Sequence, residues 1–318
     1  MKICLVKTSS MGDILHSLPA LTDAQHALPH LQVDWVVEEN FMEIPHWHPA
    51  VRQVIPIALR RWRQSPFSKQ TRHQWQQYRT LLQAESYDAV IDAQGLVKSA
   101  FFATRLAQGT SHGYDRHSIR EPLAAFFYNK KYAISYQQHA VERIRQLFAQ
   151  SLNYPLPNTK GNYGIAPHFT AQPNPVPYLL FFHGTTRQDK CLPDAQWRAL
   201  AEKLTTRGLQ IRLPWSNAQE KQRAEMIANG LEGITILPKS SLSELAQHII
   251  NARAVVSVDT GLAHLTAALN KPNLTLYGAT DPKLIGTYGK NQHYLIADSM
   301  NKINADEIFQ KLTALFPF

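Results

Sequence analysis

Short apolar runs alternate with helix-like segments along most of this chain, and this alternation restricts the possible folds more than any other feature of the sequence. Short runs rich in valine, isoleucine and leucine are typical of strands that are buried on both faces of a parallel sheet. Parallel strands need a crossover connection, which is usually a helix. The alternation therefore predicts an α/β chain built from βαβ units.

The alternation occurs in both halves of the chain. In the first half it predicts strands at residues 3–6, 33–37, 54–57 and 89–92, with helices beginning near Asp13 and Leu96 and a helix at 137–152. In the second half it predicts strands at 179–183, 210–213, 234–237, 254–258 and 274–277, and helices at 193–206, 218–228, 242–250, 262–269 and 304–315. We therefore expect two Rossmann-like, doubly wound parallel-sheet domains that face a central cleft, with ligands at the carboxyl ends of the strands.

A proline-rich stretch separates the two halves. Prolines crowd the interval between Tyr154 and Tyr178, where the strand and helix patterns break. A length of 318 residues also suits two domains better than one core. We therefore predict an N-terminal domain at residues 1–160, a linker at 161–177 and a C-terminal domain at 178–318, whose last helix could pack back on the N-terminal domain.

The composition excludes several classes of protein. With 44% hydrophobic and 18% charged residues, it is typical of a globular protein rather than a disordered one. No run approaches about 18 consecutive apolar residues, so we expect no membrane-spanning helix, and the residues after Met1 do not form a signal peptide. Cys4 and Cys191 are expected to be free thiols. These features predict a cytosolic protein.

The net charge of +9 is concentrated in one interval that contains no acidic residue, between Glu43 and Glu85. Its cations are Arg52, Arg60, Arg61, Arg63, Lys69, Arg72 and Arg79, and the aromatic residues among them are Trp47, Trp62, Phe67 and Trp75. A basic, aromatic segment can bind nucleic acid, a phosphorylated lipid or an anionic membrane surface. An ordinary solvated helix face is the alternative.

Three loops that follow predicted strands contain residues suited to catalysis or anion binding. The first, at residues 7–13, lacks the glycine fingerprint of dinucleotide-binding folds and the phosphate-binding loop of ATPases. The sequence therefore contains neither motif that would indicate a nicotinamide-dependent enzyme or an ATPase. Asp13 in this loop is either a cap of the following helix or a catalytic carboxylate.

The second loop, at residues 183–190, brings hydroxyls and cations together. Thr185, Thr186, Arg187 and Lys190 could bind phosphate oxygens, or the loop could be an ordinary hydrophilic surface.

The third loop, at residues 258–265, runs from a strand into a helix. The N–H groups and the dipole of such a helix start favour an anion, so a diphosphate would fit. The sequence from Asp259 to Gly261 also resembles the motif of aspartic proteases, but those enzymes pair two such loops and this chain has one. His264 either faces the ligand or is a structural histidine.

The 14 histidines suggest a metal site, chiefly at Glu43, His46 and His48. Their spacing matches no zinc pattern and no cysteine accompanies them, so we predict no metal and no other cofactor.

Several motifs resemble those of one family over essentially the whole chain. They are KTSSMGDILH (7–16), DWVVEE (34–39), RRWR (60–63), DAVIDAQGLVKS (88–99), QHAVER (138–143), SVDTGL (257–262) and YGATDP (277–282). In these motifs the chain resembles the bacterial lipopolysaccharide heptosyltransferases of glycosyltransferase family 9, and most closely those that add the first heptose of the inner core.

The resemblance implies a glycosyltransferase of the GT-B architecture that inverts configuration and needs no metal. Its donor would be ADP-L-glycero-β-D-manno-heptose and its acceptor the Kdo region of Kdo2-lipid A, with a related inner-core acceptor as the alternative. The N-terminal domain would bind the acceptor and the C-terminal domain the nucleotide sugar. The protein would be a cytoplasmic monomer, peripheral to the inner-membrane surface, that does not bind nucleic acid.

The resemblance also implies roles for individual residues. Asp13 would be the general base. The donor site would be formed by Thr185, Thr186, Lys190, Glu220, Asp259, Thr260, Gly261 and His264. The anionic acceptor would be bound by Arg60, Arg61, Arg63, Lys98, Arg120 and His139.

Three positions depart from the family pattern. Leu192 stands before Pro193 where a tryptophan is common, Gln64 stands where a further cation is often found, and Ser240 replaces a larger apolar residue that can cover the adenine. We therefore expect differences of detail in both binding sites.

The rival prediction, a nucleic-acid-binding protein, rests on the charge and on the pI of about 9.5 alone, since no nucleic-acid motif accompanies them.

Overall fold

The structure, a computed structural model, describes residues 1–172, 176–278 and 280–316. Internal contacts divide the chain into two compact units, Met1–Ile165 and Ala166–Phe318. Pro173 and Pro175 of the predicted linker, and Ala279 of the YGATDP motif, lie outside the described residues. Each unit is an α/β structure built on one parallel sheet, as the alternation of apolar runs and helical segments predicts.

Among the described residues, unit 1 contains a six-stranded parallel sheet in the order β3-β2-β1-β4-β5-β6. Its strands are β1 (Lys2–Val6), β2 (Gln32–Glu38), β3 (Val51–Ile57), β4 (Ser86–Asp92), β5 (Gln108–Tyr114) and β6 (Lys130–Tyr132). Its helices are α1 (Met11–Leu15), α2 (Leu18–Ala27), α3 (Glu43–His46), α4 (Leu59–Trp62), α5 (Lys69–Gln83), α6 (Val97–Ser99) and α7 (Ala140–Leu152). A π-helical turn, Ala100–Thr104, continues α6, and a 3₁₀ helix covers Pro122–Phe127.

Unit 2 repeats this topology, with the described strands in the order β12-β11-β10-β7-β8-β9. Its strands are β7 (Tyr178–Phe182), β8 (Gln210–Leu213), β9 (Ile234–Ile236), β10 (Ala254–Val258), β11 (Asn273–Tyr277) and β12 (Gln292–Ile296). Its helices are α8 (Asp194–Thr205), α9 (Ala218–Ala228), α10 (Leu242–Asn251), α11 (Gly261–Ala268), α12 (Pro282–Ile285) and α13 (Ala305–Leu315). The predicted strands and helices of both halves are confirmed to within a few residues.

The central strands are apolar on both faces because helices cover both sides of each sheet. Cys4 and Val6 of β1 pack in one cluster with Tyr78 and Leu82 of α5. The alternate residues of β1 point to the opposite face, where they are also fully buried. In unit 2, Trp197 of α8 lies in a cluster with residues of β7, β10 and α13. Buried apolar area of this kind is the main stabilising contribution to each unit.

A buried ion pair fixes the chain that leaves α7. Arg145 of α7 is 2% exposed, and its Nε donates to Oδ2 of Asp23 in α2 at 2.6 Å. Its Nη2 donates to the carbonyl oxygen of Thr159 at 2.9 Å. Gly161 is needed nearby, because an added Cβ would lie 2.8 Å from Cβ of Pro19. The ion pair therefore ties α2, α7 and the following segment together.

Strands β5, β6 and β12 do not stand out in the apolar pattern. Strand β5 reads QGTSHGY and β6 reads KKY, so neither has a continuous apolar run. Strand β12 is only partly buried along most of its length. Pairing to a neighbouring strand, rather than local apolar character, therefore sets these three elements. Among the described residues, no helix combines the length and the apolar character needed to cross a bilayer.

Candidate functional site

Each unit has predicted site residues in loops at the point where the strand order of its sheet reverses, whereas Arg60, Arg61 and Arg63 follow the edge strand β3. In unit 1 the first and fourth strands are neighbours, with Val6 of β1 opposite Asp92 of β4. In unit 2 the equivalent strands β7 and β10 are neighbours, with Phe182 opposite Ser257. Ligands of doubly wound sheets bind at this point, outside the carboxyl ends of the strands. The loops after these strands are therefore candidate sites.

Asp13 lies in the first turn of α1 and is tied back to the residue that begins the helix. Its Oδ2 accepts hydrogen bonds from the backbone N–H of Ser10 at 2.9 Å and from the Ser10 hydroxyl at 2.8 Å. The carboxylate therefore stabilises the helix start, which is one of the two roles expected for it. The same bonds fix its orientation in a partly exposed position.

The loop that carries Asp13 is held by a side chain that the sequence did not point to. Oε1 of Gln94 accepts hydrogen bonds from the backbone N–H groups of Thr8 at 2.9 Å and of Ser9 at 3.1 Å. Gln94 is fixed in turn because its own N–H, and that of Gly95, donate to Oδ1 of the buried Asp92. These contacts follow from the pairing of β1 with β4. The sequence signal for Gln94 was its place in the DAVIDAQGLVKS motif (88–99), which gave it no individual role.

Lys7 places a cation in the interior beneath this loop. Its Nζ donates to the carbonyl oxygen of Ala93 at 2.8 Å, and the residue is 6% exposed. Burial lowers the pKa of the Lys7 ammonium, and the nearby carboxylates of Asp13 and Asp92 oppose that shift. Lys7 therefore belongs to the charged surroundings of Asp13, although sequence reasoning assigned it no role.

His139, one of the predicted acceptor residues, lies beside the helix that carries Asp13. Its ring is 5.3 Å from the ring of His16, the residue that ends α1, in a T-shaped arrangement. Nδ1 of His139 accepts a hydrogen bond from the N–H of Val141 at 3.2 Å, so the residue also caps α7. The structure thus places one predicted acceptor residue beside α1, the helix that carries the predicted base.

Three predicted acceptor cations, Arg60, Arg63 and Lys98, line one cavity of about 500 Å³ in unit 1. Its further lining consists of Glu38, Leu59, Trp62, Pro66, Thr71, Arg72, Trp75 and Phe102. The cavity thus combines apolar and aromatic walls with several cations, a combination suited to an anionic ligand that also has apolar parts.

Arg61 and Arg120 do not line this cavity. The guanidinium of Arg61 donates to both carboxylate oxygens of Glu39, at 2.9 and 2.7 Å, and this pairing raises the pKa of Arg61. Arg120 is exposed on a different segment. Glu38, which sequence reasoning missed, is 4% exposed at the end of β2 and lines the cavity. Burial raises its pKa, and the charges of Arg60 and Lys98 oppose that rise.

In unit 2, the loops after β7 and β10 meet around Asp259. Nζ of Lys190 lies 2.6 Å from Oδ2 of Asp259, and both side chains are largely buried. The hydroxyl of Thr185 donates to the carbonyl oxygen of Asp259 at 3.2 Å. Thr260 and Gly261 then begin α11, and His264 is buried in its first turns. A hydroxyl, a helix start and a cation that is paired with a carboxylate are thus brought together. The helix start and the hydroxyl favour an anion, and Asp259 fixes the position of the Lys190 ammonium beside them.

Glu220 lies next to the same loop. Its Oε2 accepts hydrogen bonds from the N–H and the hydroxyl of Ser216, both at 2.7 Å. An added Cβ on Gly184 would lie 2.5 Å from Cδ of Glu220, so a larger residue at this position would displace the Glu220 carboxylate. Thr186 is exposed on the loop itself. The positions of these residues agree with one candidate site at the carboxyl ends of β7 and β10.

Two of the three departures from the family pattern have defined surroundings. Leu192 is 1% exposed and belongs to the core of unit 2, so the side chain at this position contributes to packing. The hydroxyl of Ser240 donates to the carbonyl oxygen of Pro238 at 2.9 Å, before α10. Gln64, the third, is exposed.

The histidines considered as metal ligands have other contacts. Nε2 of His48 lies 3.0 Å from the hydroxyl oxygen of Thr22, and Nδ1 accepts the N–H of Ala50 at 3.2 Å. Burial lowers the pKa of His48 to about 4. Over the described part of the chain, no group of three or more His, Cys, Asp or Glu side chains is arranged to hold a metal ion.

Known proteins resemble this chain over nearly its full length. The model of the family described as glycosyltransferase family 9 (heptosyltransferase) matches residues 75–312. Lipopolysaccharide heptosyltransferase 1 of Escherichia coli K12 is 54% identical over 319 residues, which cover 99% of this chain and 100% of that protein. The protein of the same name from Pseudomonas aeruginosa PAO1 is 51% identical over 299 residues, covering 94% of this chain and 84% of that protein.

Solved structures agree with the sequence comparison. The E. coli heptosyltransferase WaaC with ADP has a TM-score of 0.97 and 52% identity, covering 99% of this chain and 100% of that one. WaaC with ADP-2-deoxy-2-fluoro heptose has a TM-score of 0.94 and 51% identity, with 99% of each chain covered.

Proposed function

The chain belongs to glycosyltransferase family 9, the heptosyltransferases, and from this premise we propose that it moves L-glycero-D-manno-heptose from ADP-heptose to the Kdo of Kdo2-lipid A. It is a transferase of lipopolysaccharide core synthesis. One observation carries the choice of donor: the chain is 51% identical, over 99% of its length, to a structure that contains ADP-2-deoxy-2-fluoro heptose. The acceptor is inferred from the names of the relatives and from the cations of unit 1.

The donor's diphosphate is held by unit 2 in this proposal. Lys190 lies at the start of α11, where the helix dipole and the N–H groups of Thr260 and Gly261 favour negative charge. As the bond between C1 of the heptose and the phosphate oxygen breaks, negative charge grows on ADP. A preorganised cation and helix start stabilise that charge without a metal ion. Thr185, Thr186, Glu220, Asp259 and His264 complete the site.

Asp13 acts as the general base in unit 1. A hydroxyl of the Kdo attacks C1 of the heptose, its proton passes to Asp13, and ADP leaves, so that a single displacement inverts the configuration at C1. A nucleoside diphosphate is a good leaving group, so one base and one cationic site suffice, whereas glycoside hydrolases use a pair of carboxylates. The two hydrogen bonds from Ser10 hold the carboxylate ready for this role.

The anionic acceptor is held by the cations of unit 1. Arg60, Arg63 and Lys98 share one cavity, which suits the carboxylates of Kdo and the phosphates of lipid A. His139 lies beside α1 and would bind the acceptor closest to the base. Arg61 and Arg120 contribute from the surrounding surface.

The acceptor's lipid also implies where the enzyme works. We propose that the protein acts as a monomer in the cytoplasm, peripheral to the inner-membrane surface, and that it does not bind nucleic acid. The acid-free interval between Glu43 and Glu85 is the part of unit 1 that would be attracted to anionic lipid. Thermal stabilisation by ADP or ADP-heptose, and none by an oligonucleotide, would agree with this assignment.

A direct test is to incubate the full chain with ADP-heptose and Kdo2-lipid A and to analyse the lipid by mass spectrometry. We expect the lipid to gain the mass of one heptose and ADP to form in equal amount. The same reaction with Asp13→Asn is the control, and it should give no product in the same time. Transfer to an acceptor that already carries a heptose, and none to Kdo2-lipid A, would instead assign a different inner-core acceptor.

A further inference from the structure

We infer that unit 1 inserts an apolar surface, formed by Phe67, Phe101, Leu123 and Phe126, into the interfacial layer of an anionic lipid bilayer. We call these four residues the apolar surface. The inference rests on the proposed peripheral-membrane function and deepens it, because it names the side chains that enter the lipid. Three of them, Phe101, Leu123 and Phe126, lie outside the basic interval that the sequence singled out.

The four side chains are unusually exposed for their size. Phe67 is 83% exposed, Phe126 is 81%, Leu123 is 64% and Phe101 is 38%. Single exposed apolar residues are common on soluble proteins, but a group of large ones marks a surface that binds something. Exposed phenylalanine and leucine beside cations are typical of proteins that lie in a membrane interface.

A series of contacts joins the segments that carry these residues. Phe67 follows Pro66, which lines the cavity of unit 1 together with Phe102. The ring of Phe102 lies 5.0 Å from that of Phe101, and Phe101 lies 6.1 Å from Phe127, the neighbour of Phe126. Phe101 therefore contacts the 3₁₀ helix Pro122–Phe127, which carries Leu123 and Phe126, and Phe67 follows a residue of the adjoining cavity wall.

The 3₁₀ helix is anchored rather than loosely attached. Glu121 precedes it, and Oε2 of Glu121 accepts a hydrogen bond from the N–H of Val97, at the start of α6, at 2.7 Å. Ala124 and Ala125 of the same helix are buried. The helix thus packs on unit 1 with its small residues and exposes its large ones, which fixes Leu123 and Phe126 in an outward position.

Cations accompany the apolar surface. The guanidinium carbon of Arg105 lies 4.1 Å from the centre of the Phe101 ring. The adjoining cavity is lined by Arg60, Arg63, Arg72 and Lys98. Among the acidic residues of this region, Glu38 is buried, Glu39 is paired with Arg61, and Glu121 is bonded to α6. The charge beside the apolar surface is therefore mainly positive and complements anionic headgroups.

The mixture of side chains favours a bilayer over nucleic acid. Aromatic rings and cations could bind single-stranded nucleic acid by stacking and by charge. Leu123 has no ring to stack on a base, and it lies on the same short helix as Phe126. Aliphatic and aromatic side chains both gain from transfer into lipid, and the cations gain from the headgroups at the same depth.

The test is binding of the full chain to vesicles of phosphatidylglycerol and phosphatidylethanolamine, measured by flotation. The main variant is Leu123→Asn combined with Phe126→Asn. The matched control is Ile296→Asn, because Ile296 is 58% exposed but lies in unit 2, on β12. We expect the double variant to bind about 10-fold or more weakly and the control to bind as the unchanged protein does, because burial of one large apolar side chain is worth about a tenfold change.

Salt separates the apolar contribution from the charged one. Raising the salt concentration should weaken binding of the unchanged protein, while the ratio between it and the double variant should persist, because insertion of apolar side chains is not screened. A vesicle lacking phosphatidylglycerol should bind both proteins weakly. Equal binding of the double variant and the unchanged protein, or an equal loss in Ile296→Asn, would overturn the inference.

Parallel activity measurements keep this inference apart from the proposed function. Heptose transfer to acceptor dispersed in detergent should be the same for the double variant and the unchanged protein, since neither Leu123 nor Phe126 lines the cavity. Failure of the unchanged protein to transfer heptose would refute the proposed function and leave the vesicle result interpretable by itself. If vesicle binding is lost when Arg60, Arg63 and Lys98 are replaced but not in the double variant, charge alone accounts for membrane binding and the insertion of apolar side chains is rejected.

Discussion

Replacement of Asp13 by asparagine separates its two possible roles, because the two roles need different properties of the side chain. Capping needs an oxygen that accepts the N–H and the hydroxyl of Ser10, now at 2.9 and 2.8 Å from Oδ2. An asparagine oxygen can accept both bonds in a side chain of the same shape. General-base catalysis needs a carboxylate that can take a proton, which asparagine cannot provide.

The two roles predict effects of different size. Loss of a helix cap costs about 0.5–2 kcal/mol of stability, and Asp13→Asn should lose less than Asp13→Ala because the bonds from Ser10 can persist. Loss of a general base lowers kcat by about 10²–10⁴-fold, which is roughly 2.7–5.5 kcal/mol in the activation free energy. We therefore expect Asp13→Asn to unfold at nearly the temperature of the unchanged protein while kcat falls by at least about a hundredfold.

The assay is the rate of ADP release with saturating donor and acceptor, combined with calorimetric titration of ADP. The affinity for ADP should stay unchanged, because the proposed donor site lies in unit 2. Ser10→Ala is the matched control: it removes the hydroxyl that donates to Asp13 and keeps both the backbone N–H and the carboxylate, so most of kcat should remain. A near-normal kcat in Asp13→Asn would reject the base assignment and leave Asp13 as a helix cap.

The remaining predictions concern charge and stability. Arg145→Met should cost about 3–5 kcal/mol of unfolding free energy, because it leaves Asp23 buried without its ion-pair partner; thermal denaturation checks this, and a loss below about 1 kcal/mol would contradict it. Lys190→Met should lower kcat by about 10²–10³-fold, because it removes the charge that we propose stabilises the leaving ADP. Arg187→Gln is the control and should have little effect on steady-state rates, because Arg187 forms an exposed ion pair. Burial lowers the pKa of His48 to about 4, from about 6.5 in the unfolded chain. Between these two pH values the unfolded chain binds one more proton, so the free energy of unfolding falls by about 1.4 kcal/mol for each pH unit that the pH falls. Urea titrations at several pH values should show that the free energy of unfolding depends less steeply on pH in His48→Gln. Excess EDTA should leave turnover unchanged, and loss of activity that Mg²⁺ restores would contradict a metal-independent transfer.

Much of the fold follows from the sequence because the central strands are buried on both faces. Strands such as β1 and β10 are continuous apolar runs. Helices such as α7 and α10 bury apolar residues at the spacing of one helix face. Strand β5 was missed because its stability comes from pairing with β4 and β6 rather than from its own side chains. Helix α5 was not predicted either, because its polar composition leaves only Tyr78 and Leu82 buried.

The candidate sites could be located by sequence only as loops. The order of strands in the sheet decides which loops meet, and that order depends on contacts between distant parts of the chain. The contact of Gln94 with the loop that carries Asp13 exists because β1 pairs with β4 across an interval of more than 80 residues. The ion pair between Lys190 and Asp259 likewise depends on the pairing of β7 with β10.

The sequence by itself determined the α/β class, the repeat of that class in two halves and the family, because local apolar patterns and short motifs suffice for each. It also predicted which loops carry the candidate site residues. Only the tertiary structure decided that Arg60, Arg63 and Lys98 share a cavity while Arg61 is paired with Glu39. It alone brought Phe101 into contact with the 3₁₀ helix that carries the exposed Leu123 and Phe126. The physical reason is that burial, charge pairing and surface shape depend on residues far apart in sequence, and packing of the whole unit brings those residues together.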